Sequence, residues 1–240
     1  MDKVFIICNK QKEIDRLKNL EEIIKKSNIN YNDVEFFCKY WSDDIKVNKN
    51  VDGFTEYDGN IFHILNDAEI SLFINHIEIL KKIKNNYTSG NFLILESDAY
   101  VGPNMDFSND HLIRICNHSS KLKDWDVIII GGRCYEIFNP QGYPKTSPII
   151  IDKDKYFKED RIVCAEALIW NYESICKFLN LFEKYNLKNN NVIRDPIDVI
   201  FDNLVQSKDI NIFWKLPYLC HQGSGVGVNS NGYKFKSWLR

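Results

Sequence analysis

Two carboxylates one position apart, Glu96 and Asp98, close the apolar run Phe92-Leu93-Ile94-Leu95 in this chain of 240 residues. Side by side they repel each other, and a cation or hydrogen-bond donors must offset their charge. A hard divalent ion does this with carboxylate and phosphate oxygens together, so an acid-x-acid pair at a strand end suits a nucleotide diphosphate. A solvated strand end is the plainer meaning of the same spacing. His221 follows a predicted strand and precedes Gln222, and a neutral imidazole beside such oxygens suits manganese, although a lone histidine is more often an ordinary polar side chain. His76 shares a helical stripe with Phe73 and Leu80, where a buried, hydrogen-bonded histidine is expected. Asp195 stands before Pro196 and reads first as a helix cap. Gly131-Gly132 permit close approach of another group at a strand end, with Arg133 beside them as a phosphate contact. Gly223, Gly225 and Gly227 have no helix after them, so they read as a lid or a frayed tail rather than a dinucleotide fingerprint. Trp41, Trp170 and Trp214 are either acceptor-groove or core aromatics.

The elements that must position these groups follow from periodicity. Val4 to Cys8, Val34 to Tyr40, Phe92 to Leu95, Val127 to Ile130 and Arg161 to Trp170 read as strands, most of them continuous apolar runs. Helical spacing appears in Ile14, Leu17, Leu20 and Ile23, and in Ile70, Phe73, Ile74, Ile77, Leu80 and Ile83, the second stripe capped by Asp67. Further helices are predicted over 108–122, Tyr172 to Tyr185 and Pro196 to Val205. A polar loop covers 42–60, and a long aperiodic segment with Pro140, Gly142, Pro144 and Pro148 covers 133–160, where a loop of that length is usually functional. Strands alternating with helices predict an α/β fold with a mainly parallel central sheet and helices on both faces. Such sheets bind ligands at the carboxyl ends of their strands, where the acidic pair and the glycine pair fall. No repeat or linker divides the chain, so residues 1–240 are expected to form one domain with a glycine-rich tail from 223.

Composition narrows the classes of partner. With 44% apolar residues, 27% charged residues and a formal net charge of -2, the chain is neither disordered nor basic enough to bind nucleic acid by neutralising phosphates. Seven cysteines, an odd number without a C-x-x-C pair, argue for buried thiols rather than a disulfide framework or a zinc site. The apolar run Val4 to Cys8 is too short for a signal-peptide core or a membrane span, so a cytoplasmic protein is expected. Ile (32), Asn (27) and Lys (25) outweigh Arg (6), a skew that A- and T-rich codons produce.

The stretch AEISLFINHIEILKKI followed by NFLILESDAYV resembles glycosyltransferase family 25, which includes bacterial lipooligosaccharide galactosyltransferases and collagen galactosyltransferases. Glu69 and Ile70 match the start of that family's helix, Asn75-His76 stands for its Ser-His pair, and Ile94-Leu95-Glu96-Ser97-Asp98 for its Ile-Leu-Glu-Asp-Asp. Further pieces come in family order. FIICNKQKEIDR, with Asn9 and Arg16, is similar to the opening strand and its arginine; WDVIIIGG, ending in Gly132, to the Leu-Gly-Gly segment. Ala167-Leu-Ile resembles the next strand, Pro196-Ile197-Asp198 the Pro-Val-Asp helix start, and Pro217 to Ser224 the closing Pro, Gln and Ser, here with Gln222. Departures are Ser97 for the middle acid, Asn75 for Ser, Ser71 for Gly, and Glu166 where many members have His.

The resemblance implies a GT-A-type nucleotide-sugar-binding fold and transfer of a hexose, galactose or glucose, from a UDP-sugar to an acceptor hydroxyl with Mn2+ (or Mg2+). It makes Asp98 the direct metal ligand, with His221 completing the shell. Glu96 becomes a second metal or ribose contact, while Asn9, Arg16, His76, Gly132, Gln222 and Ser224 surround the donor. A metal-stabilised diphosphate leaves without a general acid, unlike the leaving group of a glycosidase. An inverting transferase, which the resemblance also implies, still needs a carboxylate to take the acceptor's proton, and Asp198 comes first, with Asp195 and Glu166 behind it. Expected partners are a nucleotide sugar and a glycan, protein or lipid-linked acceptor, with neither nucleic acid nor a membrane span. The rivals are a catalytically degenerate transferase fold acting as a sugar- or protein-binding module, motivated by Ser97 and Glu166, and a nucleotidyltransferase, disfavoured by the lack of a triphosphate loop. The codon skew suits an AT-rich genome such as that of a large virus.

Overall fold

The computed structural model describes residues 1–47, 56–57, 65–102, 105–131, 147–159, 165–188, 192–193 and 195–222. In chain order the strands and helices are β1 (Lys3–Ile7), α1 (Ile14–Ser27), β2 (Val34–Phe37), α2 (Ser42–Val47), β3 (Glu56–Tyr57), α3 (Asp67–Asn86), β4 (Asn91–Glu96), β5 (Ala99–Tyr100) and α4 (Asn109–Ser119). They continue with β6 (Val127–Ile129), β7 (Ile149–Ile151), β8 (Asp154–Glu159), β9 (Ala167–Asn171), α5 (Tyr172–Lys188), β10 (Val192–Ile193), α6 (Ile197–Gln206), β11 (Ile212–Leu216) and β12 (His221–Gln222).

The main sheet has eight strands in the order β2-β1-β4-β9-β6-β11-β8-β7. β2, β1 and β4 run parallel, as do β6 and β11, while β9 and β8 are antiparallel to both of their neighbours. Six of the eight strands therefore point one way, and the expected mainly parallel α/β architecture is the one observed. Two short ribbons, β10-β3 and β12-β5, lie outside that sheet.

Period-two alternation splits the core into two layers. Phe5, Phe92, Ile94, Ile129 and Trp170 pack under α3, α5 and α6. Val4, Ile6, Leu93, Ile128 and Phe213 pack under α1 and α4 on the opposite face. Trp170 and Trp214 both belong to the first layer and are buried, which settles them as core aromatics.

Several local expectations are corrected. α3 is capped by Asn66, not Asp67: Asn66 has the extended backbone, its Oδ1 accepts from the Ala68 and Glu69 N–H groups, and Glu69 Oε2 accepts from Asn66 N–H at 2.8 Å. That is a capping box, with Asp67 as the first helical residue. At α6 the cap position belongs to Pro196 and carries no side-chain cap bond, so Asp195 stands one residue too early. The strand expected from Val34 stops at Phe37, and the one expected from Arg161 is seen from Ala167, residues 161–164 lying outside the described set. Within the segment expected to be loop, β7 and β8 form an antiparallel hairpin. The apolar run of β7 is only three isoleucines directly after Pro148, and β8 mixes Tyr156 and Phe157 with lysines, so neither shows a period. The polar stretch 42–60 likewise holds α2 and β3. No helix among the described residues is long and apolar enough to cross a membrane.

Candidate functional site

β1, β4 and β6 end at one edge of the sheet, and they deliver Asn9, Glu96 and Gly131 there. Because β9 runs against β4, it brings its beginning to the same edge: Glu96 N–H donates to Glu166 O at 3.0 Å. The first turns of α1 and α6 face this edge with Arg16 and Asp198. Two cavities open along it. One, of about 240 Å³, is lined by Cys8, Asn9, Arg16, Trp41, Ser97 and Asp98 among others. The second, of about 200 Å³, is lined by Glu69, Ala165, Pro196, Ile197 and Asp198. Leu72 and Glu96 line both cavities, so they form the partition between them.

A polar knot holds the wall of the larger cavity. Arg16 Nη1 donates to Ser97 Oγ at 2.6 Å and to Glu13 Oε1 at 2.9 Å, and Ser97 Oγ donates to the same Glu13 oxygen at 2.6 Å. Glu13 Oε2 accepts from Asn9 N–H at 2.9 Å, and Asn9 Oδ1 accepts from the Gln11 and Lys12 N–H groups. Charge-assisted bonds of this kind fix the guanidinium. Its Nε is buried and has no hydrogen-bond partner among the described residues. On the far wall α3 grips the chain leading to Trp41: Asn75 Oδ1 accepts from Lys39 N–H at 2.7 Å, while Asn75 Nδ2 and Ser71 Oγ donate to Tyr40 O at 3.0 and 2.7 Å.

Acidic charge gathers at the partition. Burial, then the nearby charges of Asp98 and Asp198, push the Glu96 carboxyl well above the usual carboxylate range, against the pull of Arg16. His76 lies fully buried behind it, with Nε2 3.3 Å from Glu96 Oε1. Burial pushes the imidazole pKa down to about 3, opposed by Asp198. Glu166 is also buried and fills the space beside Gly131, whose lack of a side chain admits it. Cys220, bridged to Gly131, is pushed up by burial and then by Glu166 and Asp98.

Asp98 sits in the turn before β5, and β5 pairs with β12 so that His221 is opposite Tyr100 and Gln222 opposite Ala99. The ribbon thus brings His221 to the acidic turn from a distant part of the chain. Among the described residues no three His, Cys, Asp or Glu side chains form a cage for an ion by themselves.

Of the candidates drawn from the sequence, Asn9, Arg16, Glu96 and Asp98 line one cavity, and Asp198 shares the next with Glu96. Glu166, His221 and Gln222 reach the same edge through backbone pairing, and His76 reaches it only through Glu96. Asp195 stands just before α6 and lines neither cavity. Gly132, Arg133, Ser224 and the glycine-rich tail lie outside the described residues. Sequence reasoning missed Leu72 and Glu69 as cavity walls and left Trp41 open between acceptor groove and core; it lines the larger cavity with Arg16. Leu72 gave no signal, since its place on the apolar stripe of α3 looks like core packing.

No known protein-family profile matches the chain, and no curated protein sequence does. Among solved structures it is similar to the galactosyltransferase LgtC in complex with donor and acceptor sugar analogs. The identity is 12%, over 89% of this chain and 73% of that one, with a TM-score of 0.45. A structure of an active-site mutant of LgtC gives 14% identity, 89% and 72% coverage, and a TM-score of 0.45.

Proposed function

We propose that the chain is a glycosyltransferase that moves a hexose, galactose or glucose, from a UDP-sugar to an acceptor hydroxyl. The observation that carries this reading is the pair of adjoining cavities parted by Glu96, one with a fixed guanidinium and the other with the carboxylate of Asp198. A nucleotide diphosphate suits the larger, where the held guanidinium of Arg16 offers positive charge to anionic oxygen. The smaller holds the sugar and the incoming hydroxyl.

The donor set at the edge fits a divalent ion. Such an ion in a nucleotide site is held by one or two carboxylates and completed by phosphate and water, so no protein-only cage is needed. Asp98 would hold it, with Glu96 and His221 beside it, and when bound it would neutralise charge developing on the leaving diphosphate. The chain's own residues do the rest. Arg16, held by Glu13 and Ser97, orients the phosphates. Leu72 keeps water from passing between the cavities. Asp198 takes the proton of the acceptor hydroxyl as it attacks, with Glu166 as the reserve and inversion at the sugar carbon as the outcome.

The test is to incubate the protein with UDP-galactose or UDP-glucose and manganese and to measure UDP release and UDP binding by calorimetry. Release above background supports the proposal. Binding without turnover of any nucleotide sugar would leave a sugar- or protein-binding module, and no binding at all would sink both. Pyrophosphate release from a nucleoside triphosphate would instead identify a nucleotidyltransferase.

A further inference from the structure

We propose that His76 is the positioning residue of the cleft, a neutral imidazole whose Nε2–H holds one oxygen of Glu96 so that the other faces the cavities. The functional importance of this contact rests on the transferase reading; the contact itself does not.

Buried polar atoms are nearly always paired, and exceptions call for an explanation. His76 is completely buried, its Nε2 lies 3.3 Å from Glu96 Oε1, and its Nδ1 has no hydrogen-bond partner among the described residues. The missing partner selects the tautomer. A proton on Nδ1 would strand a buried donor, which native structures rarely tolerate. A proton on Nε2 leaves only an acceptor unpaired and gives Glu96 Oε1 a donor whichever protonation state the carboxyl holds.

Position gives the contact its consequence. The Glu96 backbone is already pinned to Glu166 O, so the side-chain direction is the freedom left to fix. On its other side the imidazole meets the Phe201 ring edge-on, with centroids 6.2 Å apart. Phe201 lies three residues along α6 from Asp198, on the same side of the helix. One buried ring therefore sits between the carboxylate at the end of β4 and the helix that carries the second carboxylate. It sets their separation across the partition without touching either cavity. A supporting residue of this kind typically contributes about 10–100-fold to activity or affinity.

Long-range proton–nitrogen NMR of the imidazoles in the ligand-free protein reads the tautomer directly. A proton on Nε2 of His76, with the Glu96 carboxyl resonance shifting in His76→Leu, is expected. A proton on Nδ1, or a Glu96 resonance unmoved by His76→Leu, overturns the assignment. The second measurement compares His76→Gln, whose amide restores a donor, with His76→Leu at matched melting temperature. Turnover is expected to fall at least about tenfold in the leucine variant and to recover in the glutamine variant. Equal losses in both would reduce His76 to packing. If the protein turns over no nucleotide sugar, the transferase reading fails while the NMR measurement still decides the contact.

Discussion

The side chain of Glu166 occupies the space that a side chain on Gly131 would take: a β-carbon built there would lie 2.6 Å from Glu166 Oε1 and 2.8 Å from Cδ. The backbone of Gly131 is ordinary, so the glycine is needed for room rather than for conformation. Gly131→Ala must displace a buried carboxylate, at a cost of about 1–3 kcal/mol for overpacking. Thermal melts of Gly131→Ala, Glu166→Ala and the double variant should show coupling, with the alanine at 131 costing less once Glu166 is gone. Additive losses would show that the two side chains do not compete.

Asp98 and Asp198 are predicted to separate binding from turnover. Asp98→Ala should abolish the manganese-dependent part of UDP binding in calorimetry. Asp198→Ala should bind UDP normally and lose turnover by about 100–10,000-fold, the usual contribution of a general base. If Asp198→Ala retains turnover and Glu166→Gln loses it, the base is Glu166.

Five strands of the main sheet, the long helices and the acidic pair were legible in the sequence because each rests on local pattern: apolar runs, helical stripes, and charge at a strand end. The layered α/β order followed from their alternation. What stayed hidden depended on pairing between distant segments. Nothing local shows that β9 runs backwards and brings Glu166 to the edge, or that β12 folds against β5 and sets His221 opposite Tyr100. Arg16 is the intermediate case. Its three-residue spacing from Glu13 is a local feature, while the bond to Ser97, 81 residues away, was invisible. Ser97 was noted as a missing acid. In the structure it is a bridge between a cation and a buried carboxylate.

Ser97→Ala should therefore weaken the nucleotide site without emptying it. The variant loses the bond to Arg16 and leaves the buried Glu13 oxygen with one donor fewer, a stability cost of about 1–3 kcal/mol. UDP binding measured by calorimetry should weaken by about tenfold, equivalent to 1.4 kcal/mol for a guanidinium no longer held in place. Unchanged affinity in a folded variant would show that the Glu13 contact alone suffices.

Acid stability depends on a buried charge cluster away from the cleft. Lys215, fully buried, pairs with Asp154 at 3.1 Å, and Arg114 and His111 approach the same carboxylate at 3.2 and 3.4 Å. Burial, then the Lys215 and Arg114 charges, hold the His111 pKa below its ordinary 6.5. As pH falls through 6.5 the unfolded chain takes up a proton there that the folded chain refuses, so stability drops until the lowered folded value is reached. Asp154 works in the same sense at lower pH: burial opposes ionisation, but Lys215 and Arg114 outweigh it and lower its pKa, so its contribution disappears as pH falls from its ordinary 3.8. Melting temperatures of the wild type and His111→Gln from pH 7.5 to 5 isolate the histidine. The wild type should lose stability more steeply with acidification, at no more than about 1.4 kcal/mol per pH unit for one proton. Parallel curves would show that His111 is protonated equally in both states and that the charge cluster does not exclude its proton.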